Sequence, residues 1–262
     1  MQEVTTQTAG DLLRHWRLER RLSQLELAGR AETSTRHLSF IETGRATPSR
    51  TMLVHLCEQL EVPLRERNRL LLAAGYAPVY AEPALDTPAM APVREAMRQM
   101  LAGLEPYPAL AIDQNWNMVD ANAGIALMLE GIDPALLTAQ PNALRLSLHP
   151  DGMASRIVNL AEWRGHLFER LTRRIEVTGA PELIELLEEL RGYPGGEIEL
   201  SLPEPDQVVV PLRLRHDNRE LSFISATTVF GTPMNVTVAE LAIESFYPAD
   251  PDTKKLLTTA HS

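Results

Sequence analysis

The sequence has a single cysteine, few aromatic residues and no long apolar run, and each scarcity excludes a class of protein. Cys57 alone cannot form an internal disulfide, and its place in the apolar pattern of Leu53, Leu56 and Leu60 predicts a buried thiol. No stretch approaches the roughly 18 apolar residues of a membrane span, and the N-terminus lacks a basic, apolar signal sequence. We therefore expect a cytoplasmic protein with no membrane partner.

Motifs of catalysis and metal binding are also missing. The chain has no G-x-S-x-G, no glycine-rich phosphate loop and no H-E-x-x-H. Its seven histidines are scattered, and with one cysteine they give no zinc-site spacing. The stretch from His149 to Gly152, HPDG, suggests a site, but Pro-Asp-Gly is also an ordinary turn. We expect no enzymatic activity, no metal and no cofactor.

Basic charge is scarce overall, since the formal net charge is −10. The imbalance is uneven: residues 1–80 carry 11 Lys and Arg against 9 Asp and Glu, whereas residues 81–262 carry 14 against 26. A length of 262 residues agrees with two domains. The acidic excess therefore belongs to the second, and the first keeps a modest basic face that could contact phosphate.

What is present is a helix-turn-helix pattern in SQLELAGRAETSTRHLSFIETGRATPSR. Ser23 starts a complete S-x-x-E capping box, which predicts a helix beginning there. Counting from Gln24, Ala28 falls at the fifth position, where a small side chain lets two helices cross closely. Leu38 and Ile41 fall at the fifteenth and eighteenth, where apolar residues pack the second helix on the first. The remaining face of the second helix is polar and is suited to contact bases in a DNA major groove.

These residues carry a resemblance to a known family. LSQLELA followed by TRHLSFIETGRATPS resembles the XRE (Cro/repressor-type) helix-turn-helix regulators. The continuation VPLRERNRLLLAAGYAPVY is similar to the subgroup whose C-terminal half is an MmyB-like, PAS-related ligand-binding domain, as is FGTPMNVTVAELAIESFYPAD. The resemblance implies a bacterial transcription factor with an apolar pocket suited to a fatty acyl chain. One departure is Glu32, where such motifs often carry glycine, at a cost of about 1 kcal/mol.

The first domain, residues 1–76, is predicted to be all-α with five helices. The first two cover about residues 9–20 and 23–31. The third is capped by Ser34, the fourth by Ser49, and the fifth starts near Pro63. Gly44 and Gly75 end the third and fifth helices. Residues 77–91 contain three prolines and few periodic apolar residues, so they are predicted to form a linker.

The second domain, residues 92–250, is predicted to be α+β and PAS-like, with residues 251–262 as a C-terminal tail. After a helix near residues 92–104, ALAIDQNWNMVDAN predicts two strands around a tight turn, and Asn122 caps the next helix. Helices follow at about residues 153–178 and 181–191. Three strand-like segments come last, EIELSLP, VVVPLRLRH and ELSFISATTVFG. The order fits a small antiparallel sheet of about five strands covered by helices.

The geometry of the motif assigns roles to residues of the DNA-binding surface. Gln24 should bond a phosphate or base, and Thr35, Arg36 and Ser39 should meet base edges, Arg36 being suited to a bidentate contact with guanine. His37 is predicted to contact either the DNA backbone or a base, and Arg17 and Arg45 are predicted to bind phosphates. Ser34 is predicted to lie at the start of this surface. One unit reads too few base pairs for specificity, which predicts a homodimer on a palindromic double-stranded DNA operator.

The resemblance implies a ligand pocket in the second domain, and the effector would be a hydrophobic small molecule such as a fatty acid or acyl thioester. The side chains assigned to the pocket are Trp116, Met118, Trp163, Leu167, Phe168, Leu212 and Phe223, with Arg173 as an anchor for the polar end. Arg174 and Arg213 are further candidates for that anchor. The other interpretation is that the apolar side chains simply fill the core and that the arginines are solvated.

Two alternative functions remain open from the sequence. In one, the protein is a DNA-binding regulator without a ligand, and its C-terminal domain serves dimerisation or partner recruitment. In the other, the chain is an enzyme that uses the helix-turn-helix for protein contact.

Overall fold

The computed structural model describes residues 7–195 and 209–260. The chain divides into two compact units. The N-terminal unit comprises Met1–Ala84 together with Thr232–Ala239, and the C-terminal unit comprises Leu85–Gly231 with Glu240–Ser262. Within the described residues, no helix is long and apolar enough to cross a membrane. The predicted fold classes, an all-α first unit and an α+β second unit, are confirmed.

Five helices lie within residues 7–84 of the N-terminal unit, as predicted for the first domain. Each of the first four begins at a hydroxyl cap: Thr8, Ser23, Ser34 and Ser49 accept a hydrogen bond from the backbone N–H three residues later. The helices are α1 (Ala9–Glu19), α2 (Gln24–Arg30), α3 (Thr35–Glu42), α4 (Arg50–Gln59) and α5 (Leu64–Ala73).

The core of this unit follows the apolar spacing of the sequence. Leu27 of α2 and Leu38 of α3 are fully buried, and Ala28 lies beside them where the two helices meet. Gly44 and Gly75 both adopt left-handed backbone conformations, with φ of 72° and 81°, just after α3 and α5. Apolar periodicity and terminal glycines therefore located these helices correctly.

Part of the predicted linker lies against α5. The side chain of Asn68 is buried, and its Oδ1 accepts hydrogen bonds from the backbone N–H groups of Val79 (3.0 Å) and Tyr80 (3.1 Å). Its Nδ2 donates to the Tyr80 carbonyl at 2.7 Å. A buried side-chain amide thus holds the start of residues 77–91 on the N-terminal unit, which composition alone did not indicate.

The C-terminal unit contains an antiparallel sheet of five strands in the order β2-β1-β5-β4-β3. β5 lies at its centre, so that Glu244 pairs with Leu110 on one side and with Thr227 on the other. The strands are β1 (Ala109–Ile112), β2 (Met118–Ala121), β3 (Leu212–His216), β4 (Arg219–Val229) and β5 (Ala242–Pro248).

The predicted tight turn between the first two strands is present. Oδ1 of Asp113 accepts hydrogen bonds from the backbone N–H groups of Asn115 (2.8 Å) and Asn117 (2.9 Å). Trp116, inside this turn, has a φ of 61°, a left-handed conformation that costs energy for a residue with a Cβ. The turn thereby holds the indole among the apolar side chains of the core.

Helices cover this sheet, and their order along the chain agrees with the prediction. α9 begins at Leu160, later than expected, because residues 154–156 form a short 3-10 helix of their own. The helices of the C-terminal unit are α6 (Ala91–Ala102), α7 (Ala126–Leu129), α8 (Ala143–Leu148), α9 (Leu160–Thr178), α10 (Pro181–Gly192) and α12 (Pro251–Ala260). The remaining helix, α11 (Val236–Ala239), belongs to the N-terminal unit.

Three predictions for the second half of the chain differ from the structure or lie outside the described residues. Residues 251–262 were predicted to be a tail, but α12 occupies most of them and buries Leu257 in the core. Asn122 occupies the predicted cap position, yet its side chain bonds the backbone of Ala109 and Tyr107 instead. The predicted strand EIELSLP lies outside the described residues.

Candidate functional site

The first candidate site is the outer face of α3. Ser34 Oγ accepts the His37 N–H at 3.1 Å, which fixes the start of the helix. Leu38 and Ile41 point inward and are buried. The face that remains carries the side chains assigned to DNA from the sequence: Thr35, Arg36, His37 and Ser39, all exposed or half-buried.

The ring of Phe40 lies near two cations, Arg36 in the first turn of α3 and Arg45 three residues after the helix ends. The guanidinium carbon of Arg36 lies 5.3 Å from the centroid of the Phe40 ring, and that of Arg45 lies 6.0 Å from it. Both arginines are exposed. A guanidinium at such a distance is attracted by the quadrupole of the ring and keeps its N–H groups available. The result is a positively charged, preorganised edge beside Thr35 and Ser39.

Arg17 was predicted to hold a phosphate, and that prediction is wrong. Its side chain is buried between α1 and α3, where Nε donates to Oε1 of Glu42 at 2.7 Å and Nη2 donates to Oε2 at 2.9 Å. Nη1 donates to the Leu22 carbonyl at 2.7 Å. All three of its nitrogens donate to groups within the unit and its side chain is 8% exposed, so Arg17 is not part of the exposed surface.

Gln24 shares the same carboxylate. Its Nε2 donates to Glu42 Oε2 at 2.8 Å, and the side chain is half-buried at the start of α2. One amide N–H is therefore fixed by Glu42, which orients the rest of the amide. Its contact with a phosphate or base stays a prediction.

The second candidate site is a cavity of about 70 Å³ in the C-terminal unit. Its lining is mainly apolar and comes mostly from the inner face of the sheet and from α7, α8 and α9. Three methionines take part: Met118, Met128 and Met153. Pockets for drug-sized ligands usually hold about 300–1,000 Å³, so a long ligand requires this lining to move apart. Methionine side chains are the ones best able to do so.

The structure places five of the eight residues predicted for ligand binding around this cavity: Trp116, Met118, Trp163, Leu167 and Leu212. Phe168 and Phe223 are buried but do not line it. Their assignment to the ligand-binding residues is therefore wrong. The guanidinium carbon of Arg164 lies 5.2 Å from the centroid of the Phe168 ring, and Phe223 is a core residue of β4.

The predicted anchor Arg173 also lies elsewhere. It is exposed and pairs with Glu169 one turn earlier on α9, with 2.7 Å between Nη2 and Oε1. Arg213 pairs with Glu220 on the outer part of the sheet. Arg174 is half-buried, and burial lowers its pKa, partly offset by Glu240 and Asp113. None of these three arginines lines the cavity.

Sequence reasoning missed the ion pair that does line the cavity. Arg170 of α9 pairs with the buried carboxylate of Glu244 in β5, and both contribute to the lining. Arg170 follows Trp163 and Leu167 at helical spacing, so the sequence could have placed it on the same face. Glu244 stands in the apolar strand AIESF, where an acidic residue signals a special environment.

Serine provides the other polar groups of the lining. The Ser147 hydroxyl accepts the Trp163 indole N–H at 3.0 Å, which fixes the ring on the cavity wall. Ser225 of β4 lies directly across from Phe246 of β5 in the register of the sheet. Within the described residues, no group of acidic, histidine or cysteine side chains is placed to hold a metal ion.

Together, a helix-turn-helix with a preorganised basic edge and a separate unit with an apolar cavity define a DNA-binding transcription regulator with a ligand-binding domain. Comparison with protein families agrees: a model of the helix-turn-helix domain matches residues 8–70, and a model of the MmyB-like transcription regulator ligand binding domain matches residues 93–260. The chain belongs to this family of MmyB-like transcription regulators. No curated protein matches its sequence.

Proposed function

We propose that this regulator binds a palindromic DNA operator as a homodimer and that a hydrophobic, fatty-acyl-type ligand in the cavity of the C-terminal unit controls it. The observation that carries the proposal is the arrangement of two exposed arginines, Arg36 in the first turn of α3 and Arg45 just after the helix, around the ring of Phe40. It supports a bidentate contact from Arg36 to guanine, with Arg45 on a phosphate and Thr35 and Ser39 at neighbouring base edges.

The dimer follows from the size of the reading surface. α3 has eight residues, and one such helix contacts only a few base pairs, too few to select an operator in a genome. Two copies related by a two-fold axis would present their α3 helices to half-sites about 34 Å apart. We expect operators selected from a random DNA library to be palindromic, and the protein–DNA complex to sediment with two chains.

The variant Arg36→Ala tests the DNA-binding role. We expect it to lose about 1–3 kcal/mol of operator affinity and to relax the preference at one base position in each half-site. Arg14→Ala is the matched control, because Arg14 is an exposed arginine on α1, outside α3. Unchanged operator affinity in R36A would favour the alternative in which the helix-turn-helix serves protein contact.

The ligand is proposed from the chemistry of the cavity. Its wall is apolar, its methionines can adapt to a long chain, and it has few polar groups. Mass spectrometry of organic extracts from protein purified without denaturation should find an acyl compound. Added ligand at 100 times its dissociation constant should stabilise the protein by about 2.7 kcal/mol.

A cavity-filling variant provides the control. Ala143→Leu adds a branched side chain to the cavity wall and should remove the stabilisation, whereas Ala126→Leu, at an exposed position on α7, should keep it. If the extract is empty and no acyl compound stabilises the protein, the C-terminal unit serves dimerisation or partner recruitment instead.

We also propose how the ligand signal reaches the N-terminal unit. β4 and β5 both line the cavity, and the chain between them, Thr232–Ala239, belongs to the N-terminal unit. Val236 is fully buried there, and its N–H donates to the Ala81 carbonyl at 2.9 Å. The Thr237 hydroxyl donates to the Pro83 carbonyl at 2.7 Å. A ligand that favours one arrangement of the two strands would thereby bias the unit that binds DNA.

The variant Val236→Asp tests this route. It should still bind ligand and operator separately, but the ligand should no longer change operator affinity. Val229→Asp is the control, because Val229 is exposed at the end of β4 and should leave the coupling intact. Coupling that survives in V236D would mean that the signal uses another route.

A further inference from the structure

The polar groups on the cavity wall differ in how free they are to bind a ligand. The Glu244 carboxylate is buried, and its Oε1 accepts hydrogen bonds from Nη2 of Arg170 and from the Thr227 hydroxyl, the latter at 2.9 Å. Its Oε2 accepts from Nη1 of Arg170 at 3.4 Å. Arg170 Nη2 also donates to the Thr227 hydroxyl at 3.2 Å. Arg170, the only cation among the described residues that line the cavity, is therefore already paired with an anion.

This pairing decides what charge the cavity accepts. Arginine has five N–H donors, and Arg170 uses three of them on Glu244 and Thr227. The remaining N–H groups and the Ser225 hydroxyl can bond a ligand oxygen. The positive charge, however, is compensated by Glu244, so the polar end of the cavity has no net charge to offer an anion.

We infer that the ligand has an apolar chain and an uncharged polar end, such as an alcohol, ester, thioester or amide, and that Glu244 excludes free carboxylates. The inference rests on the proposed hydrophobic-ligand function and narrows the class of ligand. A carbonyl or hydroxyl oxygen gains hydrogen bonds from Arg170 without disturbing its pair with Glu244.

A free fatty acid meets two obstacles at the same place. If the ion pair stays intact, the ligand carboxylate lies beside the negative charge of Glu244, whose side chain is only 8% exposed, and the two like charges repel. If the ligand replaces Glu244 on Arg170, it leaves a buried carboxylate whose main partner is lost. Either arrangement weakens binding relative to an ester with the same chain.

Calorimetric titration of the full-length, lipid-stripped protein tests the inference with three probes of one chain length: dodecanoic acid, its methyl ester and dodecanol. At about pH 8 the acid is ionised. We expect the ester and the alcohol to bind at least about tenfold more tightly than the acid, a difference of about 1.4 kcal/mol. The acid is used below its critical micelle concentration, and the ester and the alcohol below their solubility limits.

The variant Glu244→Gln identifies the residue responsible. Glutamine keeps the size of the side chain but removes its charge, so Arg170 becomes an uncompensated cation. We expect the affinity for dodecanoic acid to rise at least about tenfold, while affinity for the ester changes little. Glu220→Gln is the matched control, since Glu220 pairs with Arg213 on the same sheet but outside this cavity. It should retain the wild-type preference.

The outcomes separate this inference from the function on which it rests. Wild-type protein that binds the acid as tightly as the ester overturns the inference while the hydrophobic-ligand function stands. An E244Q variant that folds and still rejects the acid also overturns it. If E244Q does not fold, the wild-type comparison decides alone. Binding of none of the three probes contradicts the proposed ligand and the inference together.

Discussion

Arg17 and Glu42 form a buried, bidentate ion pair that joins α1 to α3, with nitrogen–oxygen distances of 2.7 and 2.9 Å. Glu42 is the last residue of α3, the helix proposed to read DNA. Glu42 also accepts a hydrogen bond from Gln24 on α2, so one carboxylate connects three helices of the N-terminal unit. A basic residue of the helix-turn-helix region thus has a structural role.

Replacing Arg17 should therefore affect stability first. Arg17→Ala leaves the Glu42 carboxylate buried with only the Gln24 amide as a side-chain partner, and we expect the free energy of unfolding to fall by about 3–5 kcal/mol. Urea unfolding followed by circular dichroism measures the change. Arg14→Ala, an exposed position on the same helix, should change it by less than about 0.5 kcal/mol. Equal effects of the two variants would contradict the structural role.

The left-handed turn at Glu32 offers a stabilising substitution. Glu32 has a φ of 48° between α2 and α3, a conformation in which a Cβ is crowded and glycine is not. Glu32→Gly should raise the free energy of unfolding by about 1 kcal/mol, measured by urea unfolding. Glu32→Ala removes the same charge but keeps the Cβ and should give no comparable gain. A gain in both would assign the effect to charge.

Cys57 should be chemically inert in the folded protein. It is buried in the core of the N-terminal unit, and burial raises the pKa of its thiol to about 12. Because the thiolate is the reactive form, native protein at about pH 8 should not react with a disulfide reagent, whereas protein unfolded in urea should react with one equivalent. Rapid reaction of the native protein would instead indicate a redox-active thiol.

The stability of the C-terminal unit should fall as the solution is acidified. Burial, followed by the charge of Arg170, lowers the pKa of His166 on α9. The unfolded chain then binds more protons than the folded one, so the favourable contribution is complete above the unfolded pKa of about 6.5 and is lost as pH falls below it.

Thermal unfolding between about pH 7.5 and about pH 5.5 tests this expectation. His166→Gln should reduce the decrease of the melting temperature over that range. His55→Gln, on α4 of the N-terminal unit, controls for the loss of a histidine and should retain it. A decrease that is identical in wild type and H166Q would mean that other groups cause the acid sensitivity.

Local signals were sufficient for the N-terminal unit. A hydroxyl residue at the start of each of the first four helices, apolar residues at helical spacing and glycine after α3 and α5 are all consequences of interactions within a few residues. The role of Arg17 was misjudged because its partner Glu42 lies 25 positions away, and no local pattern distinguishes a buried arginine from an exposed one.

The C-terminal cavity shows the same difference between what local sequence signals predict and what contacts remote in the sequence decide. Helical spacing and strand alternation predicted that Trp163, Leu167 and Leu212 face inward, and they do. Whether an inward side chain fills the core or lines the cavity depends on where the helices and the sheet separate. That distance is set by packing between elements remote in the sequence, so Phe168 and Phe223 could not be distinguished from the lining residues.

The sequence by itself determined the five helices of residues 7–84, the two strands around Asp113 and the presence of two units, and it predicted the polar face of α3 as a surface for reading DNA. Tertiary structure alone decided the charge of the cavity, because Arg170 and Glu244 are 74 positions apart and meet only when α9 packs on β5. It also decided that Thr232–Ala239 joins the N-terminal unit. Local propensities act between neighbours in the chain, whereas burial and ion pairing depend on neighbours in space.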